Sequence, residues 1–120
     1  MRRPDDAGLL VDMFIACQDI QQVVAGKTYD DYVEDPQVHL AVVRLIEIIG
    51  EAASKLSADF VAANSHIPWR EMIGMRNRLI HNYREINLFL VWQTVEEDVP
   101  TLIDQIRPLL PQGDSADGGL

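Results

Sequence analysis

The sequence predicts an all-α fold, an antiparallel four-helix-type bundle whose last helix is kinked at a proline. Three observations carry that prediction. Apolar residues recur at intervals of three and four along most of the chain, the period of one helical face. No segment shows the strict alternation of a half-buried strand. Helix formers dominate a composition that is 48% hydrophobic over 120 residues, enough for one core and too little for two.

The elements follow in order. The first helix spans about residues 6–24, with Leu10, Met13, Cys17, Ile20 and Val24 on one face, and Gly26 stops it. In KTYDDYVEDP, Thr28 and Asp31 have capping-box spacing for a short helical turn. Pro36 opens the second helix, where its missing N–H does no harm, and the helix runs to about residue 56. That helix is apolar over most of its circumference, with only Arg44, Glu47, Glu51 and Lys55 as a charged stripe. Such a helix needs partners on more than one side. Its own chain can supply them, or a second copy can supply part. Residues 57–67 link onward, with a helical turn at ADFVAA. The third helix starts after Pro68 and reaches His81 or Tyr83. Asn87 caps the fourth, in which Leu88, Val91, Trp92 and Val95 continue past Pro100 to Leu102, Ile103 and Ile106. No glycine or turn cluster surrounds Pro100, which favours one kinked helix over two. Residues 1–110 form the single domain, and the Gly-rich tail 111–120 is expected to be disordered.

Composition narrows the function classes. The lone Cys17 cannot form an internal disulfide and has no ligand neighbours at metal spacing, so it reads as a small buried hydrophobe in a reducing, cytoplasmic protein. MRRPDDAGLL lacks the apolar run of a signal peptide, and no stretch approaches a membrane span of about 20 apolar residues, so no membrane partner is expected. Net charge is −9, which disfavours general nucleic-acid binding. Yet residues 66–84 carry Arg70, Arg76, Arg78 and Arg84 against Glu71 alone. That basic strip suits a phosphate at one place, or it is an ordinary solvated face.

RNRLIHNYR, residues 76–84, carries the chemistry. With Trp69 at zero and about 100° per residue, Arg76 falls near −20° and Tyr83 near −40°, inside the apolar stripe of Trp69, Ile73 and Ile80. Asn77 and His81, four apart, share its flank. One edge of the helix would thus present arginine, amide, imidazole and phenol. An unpaired buried guanidinium is costly, so Arg76 requires a carboxylate, a phosphate or a subunit cleft. Imidazole moves protons near neutral pH, and arginine stabilises the charge that an attacked phosphodiester gains. Together they suffice for metal-free RNA cleavage, in which a 2′-hydroxyl attacks its own phosphate to leave a cyclic phosphate and a 5′-hydroxyl. That chemistry uses two proton-transfer groups, and two-fold pairing of this helix would bring a second His81 to the same cleft. The bland alternative is a structural motif in which Arg76 pairs with Glu51 or Glu47 within the bundle.

Arg76-Asn77 followed by His81 and Tyr83 resembles the R-x4-H-x-Y motif of the HepT-type toxins of the HEPN superfamily. The resemblance covers nearly the whole chain. YDDYVEDPQVHLAVVRLIEIIGEAASKLS looks like the family's second-helix block, IPWREMIGMRNRLIHNYREIN like its motif block, and LVWQTVEEDVPTLIDQI like its Pro-containing last helix. It implies an all-α homodimer with a metal-independent ribonuclease site at the dimer cleft. Arg76 and His81 would be its catalytic pair and Asn77 a supporting polar residue. It also implies a cognate MntA-type nucleotidyltransferase antitoxin that transfers AMP onto Tyr83, placing charge and bulk where substrate phosphate must sit. No cofactor is implied. A binding module modified at Tyr83 but without appreciable catalysis is the alternative. The acidic body points to a structured RNA, a tRNA or a particular transcript.

The remaining candidates carry less. Glu51, beside Gly50, Ala52 and Ala53, could orient Arg76 by an ion pair. His39 reads as a packing or interface residue, and no spacing of His39, His66 or the carboxylates suggests a metal site. Tyr29, Asp30, Asp31 and Tyr32 read as a capped turn or a partner epitope, and Trp69 and Trp92 as core anchors.

Overall fold

A computed structural model describes residues 4–111, and every regular element among them is helical. Helix α1 (Pro4–Val24) ends before Gly26, whose φ of 73° lies in the left-handed region that glycine tolerates. The expected capping box then starts α2 (Tyr29–Glu34): the Thr28 hydroxyl accepts from the Asp31 N–H and the Asp31 carboxylate from the Thr28 N–H. Asp35 caps α3 (Pro36–Ser54), with Pro36 in its first turn. Ser57 caps α4 (Ala58–Ala63), the turn expected at ADFVAA. The motif helix α5 (Trp69–His81) follows, then a 3-10 turn at Tyr83–Glu85. Asn87 caps α6 (Leu88–Gln93), and α7 spans Val99–Ile106.

The run across Pro100 is continuous. A π-helical turn at Thr94–Asp98 joins α6 to α7, with the Val99 N–H reaching the Thr94 carbonyl. The wider turn accommodates a proline that has no N–H to donate and whose ring crowds the preceding turn.

Helix α3 is the central element. Its Val38, Val42, Val43, Ile46, Ile49, Ala52 and Ala53 are buried, against α1 on one side and α5 on the other. Its own chain therefore covers most of it, but not all: Leu40 stays 58% exposed, and Leu45 and Ile48 are only partly buried. Tyr32, Trp69 and Trp92 are core residues, as expected of the tryptophans. Tyr32 donates its hydroxyl hydrogen to the Leu88 carbonyl at 2.9 Å and lies 4.8 Å, ring to ring, from Trp92, so α2 is fastened to α6. His39 is a packing residue, its Nδ1 3.0 Å from the Tyr32 carbonyl.

One buried charge was invisible to helical periodicity. Asp6 is fully buried, and its carboxylate accepts the Ser57 N–H at 2.9 Å and the Ser57 hydroxyl at 2.7 Å. Because Ser57 follows the end of α3, this pair fixes α1 antiparallel to α3. Asp6→Ala leaves the half-buried Ser57 N–H and hydroxyl without their acceptor, and we expect a loss of about 1.5–3 kcal/mol in urea unfolding. A midpoint equal to that of the unaltered chain would show that the pair contributes nothing.

Cys17 is buried, and burial pushes its thiol up to about 12. Its contribution to stability is fully present below the thiol's ordinary pKa and is lost as pH rises toward 12, because only the unfolded chain ionises there. Alkylation by iodoacetamide at pH 8 should therefore be slow in the folded protein and fast in denaturant. Equal rates would refute this placement.

The expectation about membrane spans needs correction. Residues Asp5–Val24 are long and apolar enough to qualify, with mean hydropathy 1.2. The apolar face of this helix is spent inside the protein, however. Leu10, Met13, Cys17 and Ile20 are fully buried against the bundle. The tail 111–120, expected to be disordered, lies outside the described residues apart from Pro111.

Candidate active site

The site begins with a glycine. A Cβ added at Gly50 would lie 2.3 Å from Arg76 Cβ and 2.7 Å from the Met72 carbonyl oxygen, so α3 and α5 meet there at a separation that only glycine permits. This close approach puts the next residue of α3, Glu51, beside the Arg76 guanidinium. Arg76 Nη2 donates to Glu51 Oε1 at 2.5 Å and Nη1 to Asn77 Oδ1 at 2.9 Å. The other carboxylate oxygen of Glu51 faces Lys55 Nζ at 3.4 Å, one turn along α3. Glu47 is engaged by Arg44 instead, at 3.3 Å.

The Arg76 side chain is 27% exposed, so most of it is withdrawn from water, and its guanidinium is held between two acceptors. A guanidinium carries five N–H donors, and the contacts to Glu51 and Asn77 leave others for a phosphate oxygen. Arg76 and Lys55 thus flank one carboxylate, Glu51, while Asp12, Asp19 and Glu47 also line the surrounding groove. Arg76 also lines an open groove of about 440 Å³ between α1, α3 and α5. Apolar Leu9, Ile15, Leu45, Ile48 and Ile80 share that groove with Asp12, Asp19 and Arg44. Ile15 is 47% and Ile80 39% exposed, which leaves an apolar strip beside Arg76 that the described residues do not cover.

The structure thus brings Arg76, Asn77 and Glu51 together, with Lys55 behind them. His81 is the last residue of α5 and is exposed; Asn77 stands one turn before it. By helical geometry His81 lies about 7.5 Å along the axis and about 140° around it from Arg76. One chain does not set the two side by side. Tyr83 requires a correction. Asn82, with φ −125° and ψ 39°, ends the helix, and Tyr83 opens the 3-10 turn. The angle placing Tyr83 with Arg76 on one helical face assumed a helix that stops two residues short of it.

Lys55 and the exact fit at Gly50 were missed as parts of the site. Both left a trace in the sequence: Glu51 and Lys55 have i,i+4 spacing, and a glycine inside an apolar helix costs about 1 kcal/mol against alanine without a packing reason. Among the described residues, no three His, Cys, Asp or Glu side chains are grouped to hold a metal ion.

The chain is similar to known proteins over most of its length. Residues 13–109 match the family model described as "Ribonuclease HepT-like". A probable ribonuclease HepT of Thermococcus cleftensis is 39% identical over 83% of this chain and 91% of its own length. A candidate RNase of Caldanaerobacter subterraneus is 38% identical over 78% of this chain and 84% of its own length. Another, of Methanocaldococcus jannaschii, is 34% identical over 89% of this chain and 98% of its own length. No solved structure matches the chain.

Proposed function

The chain belongs to the HepT-like ribonuclease family, and from that premise we propose that it is the toxin of a toxin–antitoxin pair, cleaving RNA without a metal at a cleft between two copies. The observation that supports this reading best is Arg76 itself. It is oriented by Glu51 and Asn77, keeps donors to spare, and borders a groove whose apolar strip the described residues leave exposed. In a single chain His81 stands away from that guanidinium, so a second copy is the natural source of the imidazole that completes the pair. The isologous contact of a two-fold dimer supplies each groove with the other's residues.

In this reading the 2′-hydroxyl loses its proton to one His81 as its oxygen attacks the adjacent phosphorus. The 5′-oxygen leaves with a proton from a second acid, the other His81. Arg76 stabilises the charge on the phosphoryl oxygens between those events. A neighbouring nucleotidyltransferase silences the site by adding AMP to Tyr83, whose turn begins two residues beyond His81. The acidic body around a short basic strip supports a structured RNA substrate in the cytoplasm.

The test dilutes the unaltered chain with an inactive one. In EDTA the unaltered chain should release cyclic phosphate and 5′-hydroxyl ends, and co-refolding it with His81→Ala should lower cleavage as the square of the unaltered fraction, because a mixed dimer holds one imidazole where two are needed. A linear fall, with mixed dimers formed, refutes the sharing. A second reading is favoured by one observation, the ion pair that already occupies Arg76. There the domain is chiefly a substrate of the nucleotidyltransferase. It predicts Tyr83 modification by mass, absent in Tyr83→Phe, but no harm from expressing the chain alone.

A further inference from the structure

The side of α5 that carries Asn77 and His81 continues toward the start of the helix through two residues that no step above uses. Arg70, Gly74, Asn77 and His81 follow at spacings of four, three and four, which places them within about 60° of one another around the axis. Arg70, Asn77 and His81 are exposed. Arg70 has no hydrogen-bond or ion-pair partner among the described residues. Glu71, the only acid of α5, lies on another flank of the helix. Gly74 sits in the middle of the stripe, and a Cβ added there would meet nothing within 4 Å. A mid-helix glycine weakens the helix, and here packing within the chain gives no reason for it. What it does provide is a bare stretch of helix that something outside the chain can approach closely.

We propose that the RNA strand runs along this stripe, with Arg70 binding a phosphate remote from the scissile one and Gly74 giving the ribose backbone room to pass. This rests on the reading of His81 and Arg76 as the cleaving pair. Arg70 and His81 are separated by a rise of about 16 Å, more than one internucleotide step, so Arg70 is a binding residue and takes no part in the chemistry. The chemistry of the stripe identifies its ligand. A guanidinium without a partner among the described residues favours a phosphate, an amide and an imidazole follow at the far end, and the space over Gly74 between them is open. Such a path distinguishes an oligonucleotide from a dinucleotide, which is too short to reach Arg70.

The experiment compares the unaltered chain with Arg70→Gln, Gly74→Leu and, as a charge-matched control, Arg107→Gln, whose arginine lies 5.1 Å over the Phe14 ring away from the stripe. Cleavage is measured on a dinucleotide and on a mixed-sequence single-stranded octanucleotide. Binding is measured on the 2′-O-methyl octanucleotide, which cannot be cleaved. Arg70→Gln should lower the octanucleotide-to-dinucleotide ratio of kcat/KM about tenfold, as expected for one charged hydrogen-bonded contact. It should also flatten the slope of log affinity against log salt by about 0.7. Gly74→Leu should lower the same ratio, and Arg107→Gln should move neither quantity. An unchanged ratio and salt slope in Arg70→Gln overturns the proposal. So does a Gly74→Leu chain that changes its sedimentation but binds RNA as before, because the glycine then serves a contact between proteins. If no chain cleaves RNA but Arg70→Gln still weakens binding, the cleavage reading fails while the RNA path stands.

Discussion

His81→Ala lowers kcat for RNA cleavage by at least about 10²–10⁴-fold, the contribution of a single positioned proton-transfer group, since the variant removes both imidazoles of the shared site, and leaves the melting temperature where it was. The two halves of this expectation have separate grounds. His81 is exposed at the last position of α5, so truncating it removes no core contact. Its loss therefore reads out chemistry alone. Arg76→Ala behaves differently. It removes the charge proposed to stabilise the attacked phosphate, and it also strips Glu51 of its 2.5 Å partner, so activity and stability should fall together. Single-turnover cleavage and circular-dichroism melts of the two variants separate the effects. Wild-type cleavage by His81→Ala would remove the imidazole from the mechanism.

Gly50→Ala is expected to destabilise the fold by about 2 kcal/mol and to abolish most activity, although alanine is the better helix former. Propensity favours the alanine by about 1 kcal/mol. Against this, the new methyl group would sit 2.3 Å from Arg76 Cβ and 2.7 Å from the Met72 carbonyl. Neither obstacle is the loose end of a side chain, so α3 and α5 must separate, and overpacking of this kind costs about 1–3 kcal/mol or more. The separation also carries Arg76 away from Glu51. A misplacement of about 1 Å in a catalytic constellation can cost 10²-fold in rate. Gly74→Ala is the matched comparison. It gains the same propensity and meets nothing within 4 Å, so it should raise stability by about 1 kcal/mol. Opposite signs for the two variants in urea unfolding are the expected result. Like signs would show that the contact at Gly50 is relieved by a small adjustment.

Much of the fold was legible because it rests on local rules. The Thr28–Asp31 box, Pro36 in a first turn, the Asn87 cap and the stop at Gly26 are each decided within four residues, and each is present. The three- and four-residue spacing of Leu10, Met13, Cys17, Ile20 and Val24 named a face that is fully buried as far as Ile20 and half-buried at Val24. Other features depend on residues far apart in the chain. Asp6 carries a charge where periodicity shows only the start of a helix, and its acceptor role exists because Ser57 arrives there from 51 positions away. Tyr83 misled for the opposite reason. Extending helical geometry across Asn82 assigned it a face, but the backbone at Asn82 leaves the helix before the tyrosine is reached.

Sequence alone determined the helical class, the boundaries set by caps and prolines, and the set of side chains able to handle a phosphodiester, because these follow from local backbone preference and the chemistry of each residue. Tertiary structure decided which of two carboxylates holds Arg76, since Glu47 and Glu51 share a stripe of α3 and only the closeness of the helices at Gly50 selects between them. It also decided that His81 stands apart from Arg76 within one chain. A helix fixes angles between its own residues, but what lies across a groove depends on how helices pack, and packing distances are set by side chains brought together from distant parts of the sequence.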